Sequence, residues 1–412
     1  MTNFVYPANN HLTSVVETYI ICREVYMNMN HTLFKTPKLE AVEQDVITRI
    51  EGIRANVKYL LSNSRRWNGL LARVTLAKSI QGSNSIEGYL VSVEDAIAAV
   101  EGEQPVTDPN TEVWKAVTNY QRSMTYILQL ADDPHWIYDE NLIRGLHYGM
   151  VAYDLTKNPG RWRPGTIYVR REATGEIVYT GPEPELVPPL MKALVEDLNA
   201  KDNDVPTRVK AAMAHLNLVM IHPFSDGNGR MARALQTLVL VKEEKVLDKV
   251  FSSIEERLGA VRDDYYKVLA QVGTPKWNPS GDARPFVRFC LAAHLYQAEM
   301  LLQFSRYMGA LWGYVEEEAR RRGLPERTHF AMADAASRLK VRNATYRRAA
   351  GDINEHLASR DLKLLVDEGL LVAEGERRGR VYKAAKPLLE IGKRAYDEHP
   401  PRVSKNPFGD GK

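Results

Sequence analysis

Residues 222–233 read His-Pro-Phe-Ser-Asp-Gly-Asn-Gly-Arg-Met-Ala-Arg and place a base, a carboxylate, two glycines and two arginines within one short stretch. His222 titrates near neutral pH and can take a proton from a hydroxyl nucleophile. Asp226 is a hard oxygen ligand of the kind that holds Mg²⁺ together with phosphates. Gly227 and Gly229, on either side of Asn228, let the backbone turn so that successive N–H groups converge on one point. A helix opening near Arg230 adds the positive end of its dipole to that point. Arg230 and Arg233 stand three apart, on one side of that helix, and can fork onto further phosphate oxygens. The chemistry this set supports is phosphoryl or nucleotidyl transfer. The bland alternative is a polar turn between two helices with a satisfied core histidine and solvated arginines, and any one of these features alone would read that way.

Such a loop needs a helix on each side. Residues 209–221 are apolar at helical spacing without Gly or Pro, and residues 231–241 are good helix formers, so the order is helix, glycine-rich loop, helix. Phe224, between polar neighbours, is expected to point inward and anchor the loop. Upstream, a helical stretch from about Trp67 ends in Ser83-Asn84-Ser85-Ile86-Glu87-Gly88, with Gly88 as a left-handed cap. Between the two, Gly160-Arg161-Trp162-Arg163 precedes Ile167, Tyr168, Val169, Arg170 and Arg171, and after Ala173-Thr174-Gly175-Glu176 comes Ile177-Val178-Tyr179. Two β-branched and aromatic runs about Thr174-Gly175 predict a hairpin.

Residues 222–233 resemble the core motif of the Fic (Fido-fold) protein adenylyltransferases, His-x-Phe-x-Asp/Glu-Gly-Asn-Gly-Arg-x-x-Arg, at every fixed position. The resemblance implies a mainly α Fido-fold helical bundle with a β-hairpin flap, and ATP and Mg²⁺ as substrate and metal. His222 would be the base acting on a Ser, Thr or Tyr hydroxyl, and Asp226 the Mg²⁺ ligand. The run Asp226, Gly227, Asn228, Gly229, Arg230, Met231, Ala232 and Arg233 would hold the nucleotide, the glycines and Asn228 as the anion hole and the two arginines on the β- and γ-phosphates. AMP would pass to the target oxygen and pyrophosphate would leave. Ser83, Glu87 and Gly88 are similar to the family's inhibitory motif, Ser/Thr-x-x-x-Glu-Gly/Asn, in the class II position N-terminal to the core. Glu87 would then pair with Arg233 in the place of the γ-phosphate. Ile167, Tyr168, Val169 and Arg170 would form the flap that lies over the nucleotide and takes the target segment as an added strand. Tyr265-Tyr266 and residues 281–286 resemble the family's downstream elements, the tyrosines lining the nucleoside pocket or else belonging to the core.

The rest of the chain bounds this reading. With 412 residues, 44% hydrophobic and 26% charged, it is an ordinary globular composition with room for two or three domains. A net charge of +3 is too small to imply nucleic acid or membrane for the chain as a whole. Two cysteines, Cys22 and Cys290, in apolar helical contexts, argue against a disulfide framework, and with no leader or spanning stretch evident the expected setting is cytoplasmic. The expected divisions are a helical region over 1–108, with a Pro7-Ala8-Asn9-Asn10 loop, a catalytic domain over 109–305, a helical linker over 306–323, a module over 324–398 and a disordered tail over 399–412. Residues 284–322 also read as one long helix.

Within the module, helices over 330–339, 343–350 and 354–368 precede short strands at 370–372 and 380–382, which resembles a winged helix-turn-helix domain. Arg360, Lys363, Arg377, Arg378 and Arg380 would be the DNA contacts. Asp361, Asp367, Glu368, Glu374 and Glu376 dilute that basic face, so a protein-binding role stands beside the DNA-binding one. The expected partners are a target protein on the flap and the chain itself by self-modification, with a homodimer left open. The alternatives are a DNA-binding regulator with a nucleotide-sensing domain, an enzyme that removes AMP, and transfer of UMP, phosphocholine or phosphate. The intact His222 and unaltered Gly-Asn-Gly-Arg-x-x-Arg run favour AMP transfer.

Overall fold

The computed structural model describes residues 32–409, apart from 64, 106–109, 131, 134, 171–173, 201–203, 244–251, 274 and 377–379. Expectations placed on Pro7-Ala8-Asn9-Asn10, Cys22, Arg171, Ala173, Arg377 and Arg378 lie outside the described residues. The described chain is mainly helical. It runs α1 (Ala41–Asn63), α2 (Arg65–Ile86), α3 (Val93–Glu101), α4 (Thr111–Leu130), α5 (Glu140–Val151), β1 (Tyr168–Arg170) and β2 (Ile177–Thr180). It continues with α6 (Val187–Asn199), α7 (Thr207–Ile221), α8 (Asn228–Glu243), α9 (Glu255–Ala260), α10 (Arg262–Gly273) and α11 (Arg284–Arg322). The last part holds α12 (His329–Ala336), α13 (Asn343–Ala349), α14 (Glu355–Asp367), β3 (Leu371–Glu374), β4 (Val381–Ala384) and α15 (Lys386–Glu398). Among the described residues no helix is long and apolar enough to cross a membrane.

Local chemistry sets the ends of these helices. The Ser92 hydroxyl accepts the Asp95 N–H at 3.0 Å to open α3, and the Asn354 side chain accepts the Leu357 N–H at 2.8 Å to open α14. Gly88, with φ of 82°, turns the chain after α2, and Gly323, with φ of 67°, ends α11. α7 and α8 are buried around most of their circumference, which makes this pair the central layer of the bundle. One apolar core surrounds α4 to α8. A second joins α1, α7, α10 and the first half of α11, and a third joins α2, α3 and the rest of α11 to α12–α15.

Two glycines bring α2 against α9. A Cβ added to Gly259 would lie 2.7 Å from the Gly82 Cα, so the two backbones touch where no side chain fits. The C-terminal half of α2, which carries Ser83, is thereby held to the bundle.

β1 and β2 form the expected antiparallel hairpin, with Tyr168 opposite Thr180 and Val169 opposite Tyr179. The expected boundary between catalytic domain and linker at 305/306 falls inside α11, one unbroken helix in which Gly309 and Gly313 are tolerated. The three helices and two strands expected after residue 324 are present, and Val341 exchanges both backbone hydrogen bonds with Tyr382 at 2.9 Å. α15 is a further helix that packs there. The segment expected to be disordered, as far as it is described, lies against the bundle. The Ser404 N–H and hydroxyl donate to the Glu299 carboxylate at 2.7 and 2.6 Å, and the Phe408 ring lies 5.5 Å from the Arg288 guanidinium.

Candidate active site

α7 ends on His222, whose φ of 53° and ψ of 57° are left-handed, a conformation costing a non-glycine residue about 1–2 kcal/mol. The turn carries the imidazole out of the helix. Its Nδ1 lies 3.0 Å from the Val219 carbonyl, which can only accept, so Nδ1 holds the proton and Nε2 keeps its lone pair. Burial, with the nearby Arg163 charge, holds the imidazole below its ordinary pKa, so it is neutral and basic at pH 7. Arg163 fixes the turn from the other side. Its guanidinium donates to the carbonyls of His222 at 2.8 Å, Gly165 at 2.6 Å and Pro182 at 2.5 Å, joining both roots of the hairpin to the catalytic turn.

The glycine loop is shaped by side chains pointing away from its concave face. Phe224 is buried, as expected, and stacks on His147 with ring centroids 3.6 Å apart. The Asn228 amide accepts the Phe224 N–H at 2.9 Å and donates to the Phe224 carbonyl at 2.8 Å. Its side chain therefore clips the loop, and its backbone N–H is turned to the start of α8. The first helical bond of α8 runs from Met231 N–H to the Gly227 carbonyl, so the amides of Asn228, Gly229 and Arg230 have no carbonyl behind them in the helix. Gly227 has φ of 78°, and a Cβ there would meet Val151 at 3.1 Å.

His147 has no counterpart in the sequence reading. The Gly160 N–H donates to its Nδ1 at 2.9 Å and its Nε2 donates to the Asp226 carbonyl at 2.8 Å. One neighbour can only donate and the other can only accept, so the ring is the neutral Nε2–H tautomer. Burial pushes its pKa down to about 4. A lone histidine on an amphipathic helix carries no sequence signal that would have singled it out.

Arg230 and Arg233 are nearly fully buried on the side of α8 facing the loop. Arg233 donates from Nε to the Ser83 hydroxyl at 2.8 Å, and from Nη2 to the Ser83 carbonyl at 3.0 Å and to Glu87 Oε1 at 2.7 Å. The Glu87–Arg233 contact expected from the sequence is thus in place. Arg230 Nε and Nη1 and Arg233 Nη1 are buried N–H groups with no acceptor in the described chain. Donors left in this state suit oxygens of an incoming ligand. A Cβ on Gly229 would collide with Glu87 Oε1, so that position must stay bare for the carboxylate to reach Arg233. Met231 and Ala232, expected along the nucleotide run, follow Arg230 on α8. Both side chains are fully buried in the core around α4 to α8, because helical spacing turns 230 and 233 to one face and 231 and 232 away from it.

Asp226 takes the Gly227 N–H on Oδ1 at 2.6 Å and meets the Lys157 ammonium on Oδ2 at 3.1 Å. Burial alone would raise its pKa. Arg230 and Lys157 outweigh that and hold the carboxyl below its usual range. Among the described residues no group of three or more His, Cys, Asp or Glu is arranged to hold a metal ion, so a divalent ion here would need phosphate oxygens beside Asp226. The donor set fits that case: a half-exposed hard carboxylate beside the first-turn amides of α8, with one oxygen turned to a cation.

Of the flap residues, Tyr168 and Arg170 are exposed and Ile167 and Val169 are half-buried. The Tyr179 hydroxyl donates to the Met220 carbonyl at 2.6 Å, which pins β2 to the end of α7. Among the described residues the outer edge of β1 pairs with no strand. The tyrosine pair divides. Tyr265 is fully buried, with its hydroxyl 2.9 Å from His215 Nε2, and packs in the core. Tyr266 is exposed and donates to the Ile86 carbonyl at 3.1 Å, beside the Glu87 turn. Behind Arg233 lies a carboxylate that no motif announces, Glu255. It accepts from Tyr120 at 2.9 Å and Thr237 at 3.3 Å, and burial pushes it up to about 7.

Residues 137–240 match the family model described as Fic/DOC family. The chain is 26% identical over 255 residues to "Protein adenylyltransferase Fic" of Nematostella vectensis, covering 61% of this chain and 55% of that one. It is 26% identical over 280 residues to "Protein adenylyltransferase fic-1" of Caenorhabditis elegans, covering 67% and 49%. The chain thus spans about half the length of the curated relatives it matches. A solved Fic family protein from Desulfovibrio desulfuricans superposes with a TM-score of 0.51 at 20% identity, over 85% of this chain and 98% of the other. A Fic domain containing signaling protein from Bacteroides thetaiotaomicron gives 0.50 at 23% identity, over 62% and 96%. These two likenesses establish a common fold.

Proposed function

We propose that this chain, which carries a Fic/DOC domain over residues 137–240, transfers AMP from ATP to a Ser, Thr or Tyr hydroxyl of a protein and is restrained by Glu87. The observation that carries the reading is one constellation. A neutral His222 with a free Nε2 stands at one end of a loop that runs into the first-turn amides of α8, beside Arg230 Nε and Nη1 and Arg233 Nη1, which have no acceptor in the described chain. In the reaction the target hydroxyl gives its proton to His222 Nε2 as its oxygen bonds the α-phosphorus. The bond from the α-phosphorus to the bridging oxygen breaks and pyrophosphate leaves. The first-turn amides of α8, with Arg230 and Arg233, take up the charge on the phosphate oxygens. A Mg²⁺ ion held by Asp226 would neutralise the α- and β-phosphate oxygens. The open edge of β1 would take the target as an added strand, through main-chain bonds that ask little of its sequence.

Glu87 supplies the restraint, because its carboxylate occupies the Arg233 fork that the γ-phosphate needs. For residues 329–398 the helix order and the Val341–Tyr382 bridge support a winged-helix reading. We favour protein contact over DNA there. Thr345 and Arg348 of its second helix, and Arg342 just before it, bond Glu101, Glu103 and the Gln104 carbonyl, and Asp361 of the third pairs with Arg327.

The test is label partition. Glu87→Gly protein is incubated with Mg²⁺ and ATP labelled at the α- or the γ-phosphate, and protein-bound label is followed. Transfer of the α label alone, lost in His222→Ala, is expected. Transfer of the γ label would make the enzyme a kinase and end the proposal.

A further inference from the structure

We propose that Lys157 is a resident cation that competes with a divalent metal for Asp226 and couples that competition to the Glu87 turn. The proposal rests on the nucleotidyl-transfer reading of the site. Lys157 closes the short turn Leu155–Lys157 and lies outside every motif considered above. Its ammonium has three hydrogens, and three acceptors meet them: Asp226 Oδ2 at 3.1 Å, the Tyr89 hydroxyl at 3.0 Å and the Tyr153 hydroxyl at 3.1 Å. Both tyrosine rings also lie against it, 5.6 and 4.9 Å from Nζ to centroid. Glu112 and Asp154 add negative charge at 3.7 and 4.0 Å. A lysine with its donors spent in this way is held in place, and its side chain is only 15% exposed.

Asp226 Oδ1 accepts the Gly227 N–H, and Oδ2, which accepts no backbone N–H, meets the Lys157 ammonium. A divalent ion must displace the ammonium or bind beside it against charge repulsion. Lys157 also reaches the other way. Tyr89 follows Glu87 by two residues, and its N–H bonds the Asn84 carbonyl at 3.0 Å, closing the turn that presents Glu87. Its ring lies 5.0 Å from the Arg230 guanidinium. One ammonium thus ties the metal carboxylate to the turn that blocks Arg233. Metal arriving at Asp226 weakens the anchor of that turn, so metal and the Glu87 contact oppose one another through Lys157.

The test uses Mn²⁺ with a non-hydrolysable ATP analogue, bound and free metal being counted by electron paramagnetic resonance on the full chain. Lys157→Met is expected to bind Mn²⁺ about tenfold more tightly than wild type, while Lys157→Arg, which keeps the charge, stays near wild type. Hydrogen exchange over residues 84–91 is the second readout. Mn²⁺ should speed it in wild type, and in Lys157→Met it should be fast already and indifferent to the metal. Unchanged or weaker Mn²⁺ binding in Lys157→Met, or equal gains in Lys157→Met and Lys157→Arg, would overturn the proposal. Asp226→Asn separates the two readings: if it binds Mn²⁺ as wild type does, the assignment of Asp226 as the metal carboxylate fails first.

Discussion

Replacing Glu87 by glycine tests the restraint. The Glu87 Oε1 to Arg233 Nη2 distance is 2.7 Å, with the arginine side chain fully buried and the glutamate 26% exposed. At an effective dielectric of about 20 the pair is worth about 6 kcal/mol before desolvation. The exposed part of Glu87 and its competing hydration reduce the difference that a γ-phosphate must overcome to about 2–3 kcal/mol. Productive ATP binding, and AMP transfer at limiting ATP, should therefore rise about 30- to 150-fold in Glu87→Gly. The same change strands the Arg233 charge, so the ATP-free variant should melt below wild type and gain more from ATP than wild type does. Calorimetric titration with a non-hydrolysable ATP analogue, melting with and without nucleotide, and a self-modification rate assay measure these effects. Equal nucleotide affinity, equal melting and equal rates in the two proteins would refute the argument that this ion pair is the brake.

Other perturbations follow from the same geometry. His222→Ala should abolish transfer and leave analogue affinity within about twofold, since the base acts on the hydroxyl and not on the phosphates. The acid limb of the rate against pH should fall below pH 6.5, because burial lowers the His222 pKa and keeps the base free further into acid. His147, at about 4, takes up its proton later in the folded chain than in the unfolded one. Stability should be complete above about pH 6.5 and fall by up to about 3 kcal/mol toward pH 4 on its account. Chemical denaturation across that range should have a slope about one proton shallower in His147→Ala. Gly227→Ala places a side chain at φ of 78° against Val151, so it should lose at least about 1 kcal/mol of stability and most of its transfer activity.

The sequence carried most of the loop because each of its constraints is local. Gly227 needs its backbone freedom, Phe224 an inward face, and Arg230 and Arg233 the helical spacing that points both at one place, and all of this lies within one turn of chain. Glu87 was legible only beside that loop, since its partner stands 146 residues away. The hairpin and the end of α2 were legible from Gly175 and Gly88. The supporting residues were not. His147, Lys157 and Glu255 act through contacts 79, 69 and 135 residues distant in sequence, made by side chains that fit equally well on any helix or turn. Tyr265 is a polar-tipped aromatic whose buried partner, His215, lies on another helix, so nothing local told core from pocket. The tail over 399–409 reads as disordered by composition, and its contacts with Glu299 and Arg288 on α11 are long-range ones that composition does not carry.

The central claim is that His222 faces an α-phosphorus held over the amides of α8. A crystal structure of Glu87→Gly with a non-hydrolysable ATP analogue tests it most directly. The γ-phosphate is expected on the Arg233 fork in place of the Glu87 carboxylate, with the α-phosphorus nearest to His222 Nε2. A triphosphate bound away from the 227–230 amides, or bound there with its γ-phosphorus nearest to His222, would contradict it.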